Sequence, residues 1–427
     1  MSDVLLAVAL LPLLGWGMVA AFRSPVWVVA AYAGIVPFGS LFHLPIGLAP
    51  PYNSLTTLFG LVAGTALIVY LVRNPRRTSP PNPVLFVWLV FLAISALTYL
   101  WSVNRSATFD QLLVLATLVG LYAPLVAWGV KQSEIRLIEI AIILGGAATG
   151  MYAVYQLVTS SLPISGEGVA RFQTTGSGGT GAGDPNITAA ALLLPLALGL
   201  AEAFASRGRR RLLALGAVAL MVTAIVLTAS RGGLLGMILV AVVVSFNFGR
   251  PSLIIVPGLL LAAAIAVSPG SLVTRVQSAE STGRVEVWTI GMRACVEHCW
   301  LGSGLGTFPD VHEQELLKNP ELGSRQLRFE AHNIWVGVAV EVGFVGVALL
   351  GLGAVLTWSG LLGVPRRWRG GGLAGLAGVL VANLFVSNLE FKYFWLMLAY
   401  SALVTQVHQA DYAFMPADIR KGATVPV

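Results

Sequence analysis

Residues 269–333 read PGSLVTRVQSAESTGRVEVWTIGMRACVEHCWLGSGLGTFPDVHEQELLKNPELGSRQLRFEAHN, a polar stretch set inside an otherwise apolar chain and closing on Ala331-His332-Asn333. It reads as a water-facing loop held over a membrane domain, and chemistry is expected there. Of 427 residues, 56% are hydrophobic and 11% are charged, against roughly 25% charged in ordinary soluble domains. The chain is therefore a polytopic integral membrane protein.

Around the loop, apolar runs cover 4–22, 26–47, 54–72, 84–101, 108–130, 137–158, 187–206, 212–230, 234–249, 252–268, 338–363, 371–388 and 393–409. Most have the length a helix needs to cross about 30 Å of hydrocarbon. Helices satisfy their own backbone hydrogen bonds, whereas barrel strands would give alternating segments of roughly ten residues. The expected fold is all-α, one membrane domain over 1–427 with about 12 transmembrane helices. Pro37 and Pro45 interrupt the second run, so the N-terminal pair is either a re-entrant hairpin or one distorted span. The first run has no convincing basic n-region or cleavage site and is read as a membrane element.

Lys and Arg in short loops mark the cytoplasmic side. Arg73, Arg76 and Arg77, Lys131 and Arg136, Arg207 with Arg209 to Arg211, Arg250, and Arg366, Arg367 and Arg369 fall on one side when the runs alternate. The opposite face then carries 159–186, the Arg231 turn, 269–333 and 387–392. The net charge of +7 is mostly this bias, and no basic and aromatic surface points to nucleic acid. From 410 to 427 the chain reads as a flexible cytoplasmic tail.

Residues 174–183, TTGSGGTGAG, are too glycine-rich for a stable helix and suit a mobile lid or a backbone lying close to a ligand. Residues 284–299 have helical character, with Val287, Ile290, Gly291, Ala294 and Val296 as the apolar face expected to lie along the membrane surface. The turn from Trp300 to Phe308 fits neither a phosphate-binding loop nor a dinucleotide motif and reads as a tight structural turn, with a backbone contact to substrate as the alternative. Cys295 and Cys299 flank His298, but three ligands crowded into five residues match no usual zinc spacing. A disulfide within one helix would be awkward, so this segment reads as an ordinary helix face.

His332 stands at the loop's end, immediately before an apolar helix. It either anchors that helix or serves as a base, since a neutral imidazole takes up a proton near neutral pH. Arg231, in TASRGG, breaks the positive-inside pattern. It either snorkels to the interface or forms an anion site, because guanidinium presents planar paired donors that match phosphate oxygens. Arg284 and Arg171 are further candidate cations on the same side, with surface salt bridges as the alternative. Asp184-Pro185-Asn186 suits a helix cap or, as the minority reading, a substrate contact. Glu139, Glu202, Glu341 and Glu390 lie in or near membrane segments and raise a proton-relay reading. No Asp-x-Asp pair occurs, so arginines rather than a metal are expected to neutralise a phosphate ester.

These pieces together resemble the bacterial O-antigen ligase and Wzy-type polymerase superfamily of multispanning glycosyltransferases. The likeness rests on Arg171 to Asn186, Thr228 to Gly233, Thr282-Gly-Arg284 with Trp288, Gly302 to Gly306 with Phe308, and Ala331-His332-Asn333 followed by Glu341-Val-Gly343. It covers about residues 165–350, and it departs from the family in a long glycine-rich insert between Arg171 and Asp184, which leaves Arg171's role less defined. The resemblance implies a GT-C-like enzyme in the bacterial inner membrane with its site facing the periplasm. Its donor would be an undecaprenyl-diphosphate-linked glycan and its acceptor a sugar of lipid A-core, with no cofactor and no metal. His332 would be the general base, Arg231, Arg284 and Arg171 would bind the diphosphate, and Asp184, Asn186, Glu286 and Asn333 would support them. The alternatives are a polymerase, a transferase acting on protein, or a lipid-linked glycan flippase.

Overall fold

The computed structural model describes residues 23–39, 54–164, 170–174, 184–250, 258, 262, 284–319, 327–387 and 389–413. The run expected at 4–22, all but 258 and 262 of that at 252–268, most of the glycine-rich segment and the tail beyond 413 lie outside these. The described chain is helical throughout, with isolated bridges in place of strands.

In chain order the helices are α1 Val26–Ile35, α2 Leu55–Arg73, α3 Pro83–Leu97, α4 Arg105–Ala127, α5 Gln132–Val158, α6 Pro185–Ala191, α7 Leu193–Ala205 and α8 Gly208–Leu227. They continue with α9 Arg231–Asn247, α10 Arg284–His298, α11 Phe308–Lys318, α12 Ile334–Glu341, α13 Gly343–Leu362, α14 Arg366–Ala382 and α15 Lys392–Ala413. Seven segments among the described residues are long and apolar enough to cross a membrane: α2, Pro83–Leu100, α4, α5, Pro185–Ala205, α8 and α13. This is an all-α multi-pass membrane protein. Helix α15 takes in 410–413, the first four residues of the segment the sequence suggested as a tail.

The inner layer is α7, α9 and α14. Helix α7 is buried along almost its whole length, and α14 contributes a row of glycines that lets backbones approach closely, as expected where lipid supplies no hydrophobic drive for helix association. Gly378 of α14 and Gly236 of α9 face each other: a Cβ at Gly378 would stand 3.2 Å from the Gly236 carbonyl oxygen. Around this centre, α5 packs on α1 and α8, and α13 on α3 and α15.

The basic ends gather on one face of the bundle. Arg77 pairs with Glu134 at 3.0 Å, Arg136 with Glu139 at 2.7 Å and with Glu202 at 2.6 Å, and Arg367 reaches Glu202 at 3.6 Å. Glu139 and Glu202, two of the carboxylates considered for proton relay, are thus held in ion pairs linking α5, α7 and the start of α14. The Arg231, Arg284 and His332 segments lie at the other ends of these helices.

The glycine-rich turn from Gly302 to Gly306 is a structural knot. Ser303 N–H donates to the Val340 carbonyl at 2.8 Å, Gly304 N–H to that of Glu341 at 3.0 Å, and Trp101 Nε1–H to that of Gly302 at 3.0 Å. The Glu341 carboxylate accepts the Phe308 N–H at 3.1 Å, at the start of α11. Gly302, Gly304 and Gly306 have φ of 81°, 116° and 79°, where a side chain is strained. A Cβ on Gly304 would also press on Ser102 and, at 2.7 Å, on Thr108 Oγ1. Gly304→Ala is expected to cost about 1–3 kcal/mol, the usual range for overpacking. Thermal unfolding of the purified variant checks this, and an unchanged midpoint would show that the turn is not a constraint.

Two expectations for 284–299 need correction. Of the five residues expected to face the membrane, Val287, Ile290, Gly291 and Ala294 are instead buried against α11 and α12 while Val296 is exposed, and a Cβ on Gly291 would stand 2.8 Å from Val336 Cγ1 and 3.1 Å from Phe308 Cε2. Cys295 and Cys299 are joined in a disulfide. The helix ends at His298, so Cys299 lies in the following turn, with its Cα 4.4 Å from that of Cys295, within bridging reach.

Candidate active site

Three chain reversals and the start of α10 meet on the face opposite the basic ends. At the first, Asp184 caps α6: its Oδ1 accepts the Asn186 N–H at 2.7 Å and the Asn186 Nδ2–H at 3.0 Å. The capping expected of this motif is present.

The second reversal joins α8 to α9. Ala229 has a φ of 49°, uncommon for any residue but glycine, and Ser230 caps α9 by accepting the Gly233 N–H at 3.1 Å. Arg231 is the first residue of α9. Arg171 is 3% exposed, and its Nε donates to the Thr228 carbonyl at 2.7 Å, while the Phe172 N–H donates to that of Leu227 at 2.9 Å. Arg171 therefore lies behind the Arg231 turn and braces it.

The third reversal carries His332. The Ala331 carbonyl accepts the Trp288 Nε1–H at 3.1 Å, and the Ile334 N–H donates to the Asn383 carbonyl at 3.0 Å. Asn333 Oδ1 accepts the N–H groups of Trp335 and Val336 at 2.9 and 3.3 Å, capping α12. Between these fixed points His332 takes a φ of 45°. Left-handed backbone at a non-glycine residue persists only where its surroundings over-determine it, as they do here.

Phe385, just past α14, links the pieces. The Arg284 guanidinium carbon lies 5.7 Å from the Phe385 ring centroid, a cation–π separation. A Cβ on Gly232 would stand 2.9 Å from Phe385, so the Arg231 turn is seated against the same ring. His332 packs on the edge of Phe329 with centroids 5.4 Å apart, and it lies in the fields of Asp184 and Arg284. One oxygen of Glu286, Oε2, is enclosed without a hydrogen-bond partner among the described residues.

Burial lowers the His332 pKa from its ordinary value; Asp184 opposes that shift and Arg284 adds to it. Its imidazole is thus neutral at neutral pH. Glu330, two residues earlier, is raised to about 7 by burial, with Glu390 and Asp184 adding to the rise. Its side chain is exposed to water even though many protein atoms lie around the carboxyl. Burial also raises Glu390, against a 2.8 Å hydrogen bond from Gln111 Nε2. Sequence reasoning missed Glu330, Phe329 and Phe385. Glu330 was findable from its position two residues before His332, whereas the aromatic contacts leave no local trace.

The fold and this cluster define a multi-pass membrane protein that brings a buried imidazole, the Arg284 guanidinium and the turn carrying Arg231 together at one end of the helical bundle. Residues 216–351, about a third of the chain, match the model of the O-antigen ligase family. The family takes in ligases and polymerases, so lipid-linked glycan transfer is the activity class it indicates. The match includes Arg231, Arg284 and His332 and leaves Arg171 and Asp184 outside it. No curated protein matches the chain.

Proposed function

We propose that this protein is an O-antigen ligase with a GT-C-like bundle, transferring a glycan from undecaprenyl diphosphate to a sugar hydroxyl of lipid A-core at the periplasmic face of the inner membrane. The observation that carries this reading is a neutral His332 in the field of Arg284, whose guanidinium shares Phe385 with the Arg231 turn, within a segment matching the ligase family.

The reaction is a direct inverting displacement. His332 accepts the proton of the acceptor hydroxyl as its oxygen bonds to the anomeric carbon. The bond from that carbon to the diphosphate oxygen breaks, and Arg231 and Arg284 offset the charge that develops there. Arg171 holds the Arg231 turn and adds positive charge from behind. Asp184 stabilises the imidazolium that forms, while Asn186 and Asn333 fix the two helix starts on either side. Guanidinium groups supply the neutralisation that a divalent cation gives in other diphosphate sites, so transfer proceeds without metal.

The test uses purified protein with undecaprenyl-diphosphate glycan and lipid A-core, with and without chelator, read by gel shift. Core-attached glycan formed in chelator is the expected product. Lengthened lipid-linked glycan would assign the polymerase reaction, and absence of any transfer would reject the enzyme reading in favour of a flippase.

The pH profile follows from the His332 environment. A base must be unprotonated to act, and its depressed pKa keeps it so through neutral pH. The acid limb of kcat/KM should therefore lie below about 6.5, the ordinary histidine value. A limb near 7 that disappears in Glu330→Gln would instead move the proton-accepting role to Glu330, whose carboxyl is raised to about 7.

A further inference from the structure

With its Val287, Ile290, Gly291 and Ala294 face already used against α11 and α12, α10 has a second apolar face. Val285 is 58% exposed, Met292 62% and Val296 82%, and the stripe ends on Trp300 at 75%. Spacings of seven and four residues place 285, 292 and 296 on one line along a helix. Thr289 lies on the same line, and its hydroxyl donates to the Val285 carbonyl at 2.7 Å, which satisfies it along the helix. Arg293 and Glu297 form a separate exposed charged stripe, roughly 100° further round at 3.6 residues per turn. Glu297 is tied there by a 3.0 Å ion pair with Lys318.

A protein-facing stripe, an apolar exposed stripe and a charged stripe on one helix describe a segment lying between protein, lipid and water. The apolar stripe also runs into a membrane-spanning surface. The Trp300 ring packs edge-on against Phe344, with centroids 5.6 Å apart at 89°, and the Phe344 N–H donates to the Cys299 carbonyl at 2.7 Å. Phe344 and Val345 open the candidate span α13 and are themselves exposed. The Cys295–Cys299 disulfide fixes the end of α10 to the turn that carries Trp300.

We propose that α10 is a membrane-interface helix whose Val285, Met292, Val296 and Trp300 stripe is immersed in the headgroup and upper acyl region of the leaflet beside α13. Tryptophan favours that depth, and an in-plane helix buries its apolar face about 5–10 Å into the boundary. Seated so, α10 holds Arg284, its first residue, at the level of lipid headgroups. If the diphosphate reading above holds, this sets the height at which the donor's diphosphate meets its cation.

The test places the photoreactive residue p-benzoylphenylalanine at Met292, Val296 or Glu297 of the full chain in nanodiscs of phosphatidylethanolamine and phosphatidylglycerol. Adducts are read by mass spectrometry after illumination. Phospholipid adducts at 292 and 296, lost at 297, are the expected result. Adducts joining two copies of the chain would make the stripe a protein interface. Lipid adducts at all three positions or at none would place the helix within the acyl layer or clear of the membrane, and each of these results overturns the proposal. The readout needs no activity, so it stands apart from the ligase assignment.

Discussion

His332→Ala is expected to lower the transfer rate by about 10²–10⁴, the usual contribution of a positioned general base, with little change in stability. Ala331, Asn333 and Ile334 are held by Trp288, by the α12 cap and by Asn383, and none of these bonds uses the imidazole. Alanine at 332 must take up the same φ of 45°, which the bonds on either side impose whatever the side chain. His332→Asn provides a second variant, because asparagine tolerates left-handed backbone yet supplies no comparable base. The measurement is single-turnover transfer of glycan to lipid A-core by protein confirmed at normal level and normal melting temperature. Full-length glycan still attached at near the parent rate by both variants would remove His332 from the chemistry.

Arg231→Lys and Arg284→Lys come next, each expected to lose a large part of the roughly 10²–10³ in kcat that one charge-stabilising donor supplies. Lysine keeps the charge but not the planar pair of donors. At position 284 it also gives up the flat guanidinium seated over Phe385. Interactions that strengthen as the diphosphate departs act on kcat, whereas a simple surface cation would change KM or nothing. A fall in KM-dependent binding with kcat intact would reduce these arginines to docking groups. Near-normal kinetics in Arg231→Lys would argue that the residue only snorkels to the interface.

The motifs expected to carry chemistry were legible because their local geometry is written locally. Asp184 and Asn186 sit at a helix start with Pro185 between them, and they form the cap that such residues favour. The glycines at 302, 304 and 306 announced a tight turn and form one with three positive φ angles. The alternation of basic and polar loops likewise matches the gathering of Arg77, Arg136 and Arg367 on one face.

Other features were not readable in that way. Arg171 reads as a third, less defined candidate cation, and its Nε is spent on the Thr228 carbonyl, a partner 57 residues away that no spacing rule identifies. Helix α10 has apolar residues on two faces, and periodicity alone does not say which one protein covers. A disulfide between the two cysteines reads as awkward from sequence because the helix end between them is not foreseeable to the residue.

By itself the sequence determined an all-α membrane bundle, its basic face, the helix caps and the residue types available for anion binding and proton transfer. Those follow from hydropathy over spans of membrane length and from side-chain chemistry within a turn or two of chain. The tertiary structure decided which cation lies over Phe385, that burial and Arg284 hold His332 neutral, and which face of α10 protein leaves uncovered. Each of these depends on residues distant in sequence packing at a single place, and through-space contact and field have no counterpart in the order of the chain.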